Sequence, residues 1–257
     1  MNYVRPKKSL GQHFLIDQNI ARKIVESLNY SGNILEIGPG KGMLTKYLLE
    51  KYNNNLKIIE IDKKYVDFLK NNFRLKPEQL IYSDFLTIDI KSVFPGDFAI
   101  IGNFPYNIGS QIFFRVLQYR NQVNEVVCMI QREVAHRIVE KPGSRVYGIL
   151  SVLLQTFYKI DYLFTVNEKV FSPPPKVKSA VIRLIRNNCK KPDCNEDLFF
   201  LVVKTAFNQR RKTLSNSLKS LYLRKDFSHP LLTKRAEQLS VNEFVELTNA
   251  IEEITEK

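Results

Sequence analysis

Metal-ligand spacing is missing from this chain. Its three cysteines, Cys128, Cys189 and Cys194, form no CxxC pair, and its three histidines, His13, His136 and His229, stand far apart. Neither set has the spacing of a metal site, so no metal is expected. No apolar run approaches the ~20 residues of a membrane span. The basic start, Met1 to Leu10, leads into no secretory apolar region. These absences predict a cytoplasmic protein with reduced thiols and no membrane partner. There is no internal repeat and no low-complexity segment. Acids are also in short supply: 26 Asp and Glu against 39 Lys and Arg, a net charge of +13. A polyanion is the obvious partner, and nucleic acid fits better than membrane. Charge alone would equally suit a protein that is merely basic for solubility.

What is present is a core. Hydrophobic residues make up 44% of the 257, enough for one large domain or a medium one plus a small one. Asn33 to Ile37 reads as a short buried strand running into Gly38-Pro39-Gly40-Lys41-Gly42. A helical pattern follows at Met43, Leu44, Tyr47 and Leu48. Strand, glycine loop, helix is the setting in which a Gly-rich motif carries meaning. The loop lacks the Lys-Ser/Thr of a phosphate loop and departs from the G-x-G-x-x-G of dinucleotide folds. Leu56 to Asp62 is the next strand. Glu60 falls about twenty residues past the loop, where an acid at a strand end can accept from both ribose hydroxyls. Asp62 suits a helix cap before Lys63 to Leu69. A third strand, Gln79 to Tyr82, leads to Asp84, which could accept from an adenine amino group; a lone loop aspartate is more often a turn former. Together these make a nucleoside site without a long phosphate tail, and S-adenosylmethionine fits it.

The apolar run Phe98 to Ile101 then ends at Gly102 and delivers Asn103-Phe104-Pro105-Tyr106. Ligands collect at such strand ends in open α/β sheets. The four residues suit attack by an exocyclic amino group on a base, whose lone pair is conjugated with the ring. Two acceptors can hold its N–H groups and turn the lone pair outward: the Asn103 side-chain oxygen, and the Phe104 or Pro105 carbonyl. Tyr106 offers a face on which a base can stack. A plain strand-to-helix turn would use similar residues.

Elsewhere Asp17 reads as the cap of a helix carrying Ile20, Ile24, Val25 and Leu28. Ile112 to Leu117, Glu133 to Val139 and the apolar stretch Gly148 to Phe157 read as helices. Glu125 to Ile130, Tyr162 to Val166 and Ala180 to Ile185 read as strands. The run Phe171-Ser172-Pro173-Pro174-Pro175-Lys176-Val177 is a rigid extended segment. It could hold Phe171 for stacking on a flipped base, although core packing is the default for a phenylalanine. Near Arg186 the composition turns polar, and helical patterns follow at Leu198 to Phe207, Thr213 to Leu223 and Val241 to Ile254. Ser240 and Glu243 make a capping box for the last. No acid occurs between Asp197 and Asp226, an interval holding Lys204, Arg210, Arg211, Lys212, Lys219, Arg224 and Lys225. That is a phosphate footprint. The arm with Arg5, Lys7 and Lys8 is as readily a solvated tail as a phosphate grip.

Assembled, these residues resemble the KsgA-type ribosomal RNA adenine dimethyltransferases over nearly the whole length. The markers are Gly11-Gln12-His13-Phe14-Leu15, Glu36-Ile37-Gly38-Pro39-Gly40, Asn103-Phe104-Pro105-Tyr106, Phe171 to Val181, and Phe207-Asn208-Gln209-Arg210-Arg211-Lys212. By that resemblance His13 and Leu15 border the methionine end of S-adenosylmethionine, Gly38 carries the glycine loop, Glu60 binds ribose and Asp84 adenine. Asn103 lies between cofactor and target amine. His13 replaces an asparagine frequent in the family, and Phe104 its usual leucine. The family dimethylates N6 of two neighbouring adenosines near the 3′ end of small-subunit (16S) rRNA during ribosome biogenesis. The implied partner is that rRNA or a pre-30S particle, and a monomer is the default.

The expected architecture is a Rossmann-like α/β methyltransferase domain with a mostly parallel seven-stranded sheet, residues 1–186. A small all-helical RNA-binding domain, 187–257, follows. Asn103, Pro105 and Tyr106 are the expected catalytic group, and Phe171, Arg210, Arg211 and Lys212 the expected RNA contacts. Two rivals stand beside this reading: an Erm-type large-subunit rRNA methyltransferase, and an assembly factor that acts mainly by binding. The proline run and the Arg210 cluster weigh against the first. Intact Glu60, Asp84 and Asn103 weigh against the second.

Overall fold

The structure, a computed structural model, describes residues 13–221 and 227–255. Arg5, Lys7, Lys8, Arg224 and Lys225 lie outside the described residues. A two-residue strand, β1 (Phe14–Leu15), precedes α1 (Gln18–Glu26). Asp17 caps α1 by accepting from the Asn19 and Ile20 N–H groups, and Ala21, Ile24 and Val25 bury one face. Strands and helices then alternate: β2 (Asn33–Ile37), α2 (Thr45–Tyr52), β3 (Leu56–Glu60), α3 (Lys63–Asn72), β4 (Leu80–Tyr82), α4 (Ile90–Val93), β5 (Phe98–Asn103), α5 (Gly109–Gln118) and β6 (Val123–Gln131). Next come α6 (Arg132–Val139), α7 (Ile149–Phe157), β7 (Tyr158–Val166), β8 (Phe171–Ser172) and β9 (Ser179–Arg186). The remainder is helical: α8 (Glu196–Asn208), the single turn α9 (Leu214–Ser217) and α10 (Val241–Thr255).

The main sheet has seven strands in the order β4-β3-β2-β5-β6-β9-β7. From β4 to β6 all neighbours pair in parallel, and β9 runs antiparallel to β6. Parallel strands covered on both faces must be apolar throughout. Ile34, Leu35, Ile58, Ile59, Ala99, Ile100 and Ile101 meet that requirement and are buried. The strand order reverses between β2 and β5, and ligands bind at such a switch point. A separate two-stranded ladder, not anticipated from the sequence, pairs Leu15 with Phe171 and Phe14 with Ser172.

The chain divides into two compact units, Met1–Ala135 with Ile160–Arg186, and His136–Lys159 with Asn187–Lys257. The 186/187 boundary is one seam. The stretch 136–159, counted with the sheet domain from sequence, groups instead with the C-terminal helices. Its helix α7 is buried at every position but Ile149 and Gln155. A helix apolar on all sides needs cover on all sides, and α7 finds it against α8 and α10. Within the described part of the helix expected over Thr213 to Leu223, only α9 is α-helical. Ser215, Asn216 and Ser217 are weak helix formers, and the Asn216 amide bonds the Thr213 hydroxyl (3.1 Å) rather than helping the turn continue. The capping box of α10 forms as read: Ser240 N–H donates to Glu243 Oε2 (2.8 Å) and Glu243 N–H to Ser240 Oγ (3.2 Å).

At the switch point β2 and β5 approach closely. A Cβ on Gly102 would stand 2.7 Å from the Ile37 carbonyl oxygen, a backbone atom that cannot swing aside. Gly102→Ala should therefore cost about 1–3 kcal/mol, the range for overpacking. Gly96→Ala, where an added Cβ meets nothing within 4 Å, should stay within about 0.5 kcal/mol. Urea denaturation of the two variants beside the wild type measures both; equal midpoints would mean that β5 can shift.

Candidate active site

The carboxyl ends of β2, β3, β4 and β5 wall a cavity lined by His13, Leu15, Gly38, Glu36, Glu60, Asp84 and Asn103 among others. Gly38 and Gly40 have φ of +64° and +55°, the left-handed region that favours glycine. A Cβ on Gly40 would also strike the Phe14 ring at 2.7 Å. The loop is held by Glu60. Gly40 N–H donates to its Oε2 (3.1 Å) and Asp62 N–H to its Oε1 (2.9 Å). Asp62 in turn caps α3 by accepting from Lys64 N–H. Burial pushes the Glu60 carboxyl up, and the N–H groups of Asp62, Gly40 and Ile61 oppose that rise. Each carboxylate oxygen can accept more than one bond, so Glu60 can tie the loop and still receive a ligand. Asp84 is half-buried in the wall. Its Oδ1 accepts the Leu86 N–H (2.8 Å), so the turn-forming role weighed from sequence is real and coexists with a place in the cavity.

Glu36 was missed as a site residue. Its signal was an acid inside an otherwise apolar strand, which is rare unless the charge is used. It is fully buried. Its Oε2 accepts the Thr45 hydroxyl (2.7 Å), while Oε1 has no partner among the described residues. Burial, with the neighbouring Glu60 adding to it and the Thr45 bond opposing it, pushes its pKa up to about 8.

On the other side of the cavity stands Asn103. Its Nδ2 donates to the His13 carbonyl (3.0 Å). A carbonyl can only accept, so this bond fixes which way the amide faces. Asn103 Oδ1 makes no hydrogen bond among the described residues. Phe104 is buried, and its N–H donates to the Met129 carbonyl (3.0 Å). The Pro105 carbonyl accepts Ile108 N–H (3.2 Å), so of the two candidate second acceptors the Phe104 carbonyl is the less occupied. Tyr106 is anchored through its hydroxyl to Ser179 Oγ (2.5 Å), and burial raises its pKa. The His13 ring lies 5.3 Å from the Tyr106 ring, and His13 Nδ1 bonds the Pro173 carbonyl (2.9 Å).

One expectation is corrected. Phe171 is not an open stacking platform: it is 3% exposed, within the core cluster, paired to Leu15. Core packing claims it because burying an aromatic ring recovers more than leaving it in water. Arg210 is half-buried and 3.8 Å from Glu237, an acid from outside the acid-free interval. Arg211 and Lys212 are exposed.

Rossmann topology with a glycine cradle, a buried acid at the end of β3 and a loop acid after β4 defines the class of S-adenosylmethionine-dependent methyltransferases. The cavity fits that cofactor: the carboxylates of Glu60 and Asp84 stand at two successive strand ends, and the glycine loop is a cradle that a Cβ would fill. A model of the ribosomal RNA adenine dimethylase family matches residues 4–253, and the chain belongs to that family. The ribosomal RNA small subunit methyltransferase A of Parabacteroides distasonis is 54% identical over 252 residues, covering 96% of this chain and 94% of that protein. Its namesake in Cytophaga hutchinsonii is 53% identical over 98% of this chain and 99% of that protein. Among solved structures, a dimethyladenosine transferase from Plasmodium falciparum superposes with a TM-score of 0.73 at 25% identity, over 91% of this chain and 96% of that one. The 23S rRNA methyltransferase ErmE shares the fold, with a TM-score of 0.63 at 24% identity over 91% and 99%.

Glu36 gives the site a pH signature. Its carboxyl ionises at 4.5 when unperturbed and at about 8 when folded. Between those values the folded state holds the extra proton, so stability falls as pH rises through the window. Glu36→Gln should flatten that fall, leaving the part due to Glu60. Melting temperatures of both proteins across this range test it, and parallel curves would show that Glu36 is ionised in the fold.

Proposed function

We propose that this protein transfers methyl groups to N6 of two adjacent adenosines near the 3′ end of small-subunit ribosomal RNA, giving dimethyladenosine. The observation that carries it is Asn103: one amide atom tied to the His13 carbonyl, the other left open at the cavity. Bound S-adenosylmethionine would supply an electrophilic methyl group. Glu60 would hold the ribose, Asp84 the adenine, and His13 and Leu15 the methionine end, with Gly38 carrying the glycine loop. Asn103 Oδ1 and the Phe104 carbonyl accept from the two hydrogens of the target amine and turn its lone pair outward. Pro105 stiffens the loop and Tyr106 presents its ring beside the base. Tyr106 is no general base, since its hydroxyl is bonded and its pKa raised. None is needed, because an amine that has just gained a methyl group is acidic enough to lose its proton to water. Catalysis is positioning. Relatives near 50% identity are named for the small subunit, which favours it over the large-subunit alternative. The substrate would be met as an assembling small subunit in the cytoplasm, by a monomer.

The basic part of the second unit would grip RNA phosphates. With Arg210 drawn toward Glu237, Arg211→Ala/Lys212→Ala should lower the salt slope of rRNA binding by about 1.5–2 units, near 0.7–0.9 per lost contact. A slope equal to the wild type's would leave these side chains facing solvent.

Asn103→Ala removes the acceptor without adding bulk. Since the bond should strengthen as the amine gains charge, the loss falls on turnover: about 10²–10³-fold, as for an oxyanion-hole donor. RNA affinity should barely move. Single-turnover methylation of rRNA beside a filter-binding curve separates the two. Near-normal methylation would reject the mechanism, and collapse of RNA binding would make Asn103 a prop for the loop.

A further inference from the structure

We propose that the outer face of α1 and α2 is a phosphate-binding track for RNA, built from Arg22, Lys23 and Lys46 and separate from the cofactor cavity. The idea rests on the RNA reading above. Tyr47 is buried at 6% exposure, and its hydroxyl is tied to Gln18 Oε1 (3.2 Å). Over its ring sit two cations, the Arg22 guanidinium at 5.4 Å and Lys46 Nζ at 5.2 Å from the centroid. Lys23 Nζ lies 4.1 Å from the Phe164 ring centroid. All three cations are exposed. Among the described residues none of them makes an ion pair, although Glu26 and Glu50 stand on the same two helices. A surface shaped only for solubility disperses its signs. Here two cations are gathered on one ring, where they repel each other, and a third is fixed on the next residue of α1.

Aromatic undersides hold such cations in place without consuming their N–H donors. The donors stay outward, ready for an anion. An Arg fork with Lys point charges beside it suits successive phosphates of a nucleic-acid backbone. The face also runs toward the site, since Lys41 lies over Phe14 at the cavity wall and its segment continues into α2. RNA held here would be gripped independently of Arg211 and Lys212.

The test is rRNA filter binding over a range of salt, for the wild type and for Arg22→Ala/Lys23→Ala/Lys46→Ala. The slope of log K against log salt should fall by about 2–3 units, near 0.7–0.9 per lost contact. S-adenosylmethionine affinity by calorimetry should not change, which also reports that the fold is intact. Should the triple variant misfold, Lys23→Gln and Lys46→Gln singly should each lower the slope by about 0.7–0.9. The losses should add to that of Arg211→Ala/Lys212→Ala. An unchanged slope with normal cofactor binding overturns the track. So does an unchanged slope with loss of binding to anionic phospholipid vesicles, which would assign the face to a membrane surface. If the wild type itself neither binds nor methylates the rRNA, the functional reading fails first, and that result is distinct from both.

Discussion

The hydrogen bond from Asn103 Nδ2 to the His13 carbonyl decides the direction of the one side chain on which the proposed chemistry turns. Much of the surrounding structure serves to keep that carbonyl in place. β1 follows His13 directly and is pinned by β8. The His13 ring reaches the Pro173 carbonyl, and Tyr106 reaches Ser179. The segment 171–179 thus braces the Asn103 loop from three points. A proline-rich run suits that task because it loses little entropy on ordering and holds a fixed shape. Its value to the site lies in support, with Phe171 as the anchor in the core, and not in a stacking surface.

Charge is sorted by depth. The cavity wall carries Glu36 and Glu60 buried and Asp84 half-buried, while the excess of Lys and Arg lies outside. Two buried carboxylates side by side are costly, and a raised pKa is how the protein relieves the cost when no cation is near. A positively charged ligand in such a wall would favour the ionised carboxylates and draw their pKa values back down, which selects it over a neutral one of the same shape. The exterior does the opposite and favours a polyanion. A cofactor and an RNA of opposite charge can therefore be sorted to the right places before any specific contact forms.

Local patterns were legible in the sequence wherever a single stretch contains the whole cause. Asp17, Asp62 and Ser240 with Glu243 act as the caps they resemble. The alternation of apolar runs with helices gave the parallel sheet, and strand-end position picked out Glu60, Asp84 and Asn103 as cavity residues. What stayed hidden depends on pairs far apart in the chain. Two-residue strands such as β1 and β8 have no periodicity to detect. Arg210 meets an acid that lies outside its own basic interval. The grouping of α7 with the C-terminal helices follows from burial on all sides, which a list of apolar residues cannot assign to one partner or another. Glu36 was visible as an anomaly in its strand, but only its place in the cavity lining connects the anomaly to the site.

Neither Asn103 nor Tyr106, the two side chains that flank the proposed target position in the loop, is set up to take a proton: Asn103 does not titrate, and Tyr106 is bonded and held protonated. A site short of bases suits a nucleophile that sheds its proton only after bonding. It would suit poorly a reaction that must remove a proton first, such as one on a hydroxyl or a ring carbon. The demand on the protein then reduces to holding two hydrogens of one amine in fixed directions. A neutral amide locked at one end and a backbone carbonyl behind a proline do that with almost no motion left to restrict. This is why the site can be small, rigid and far simpler than the RNA surface that must deliver the base to it.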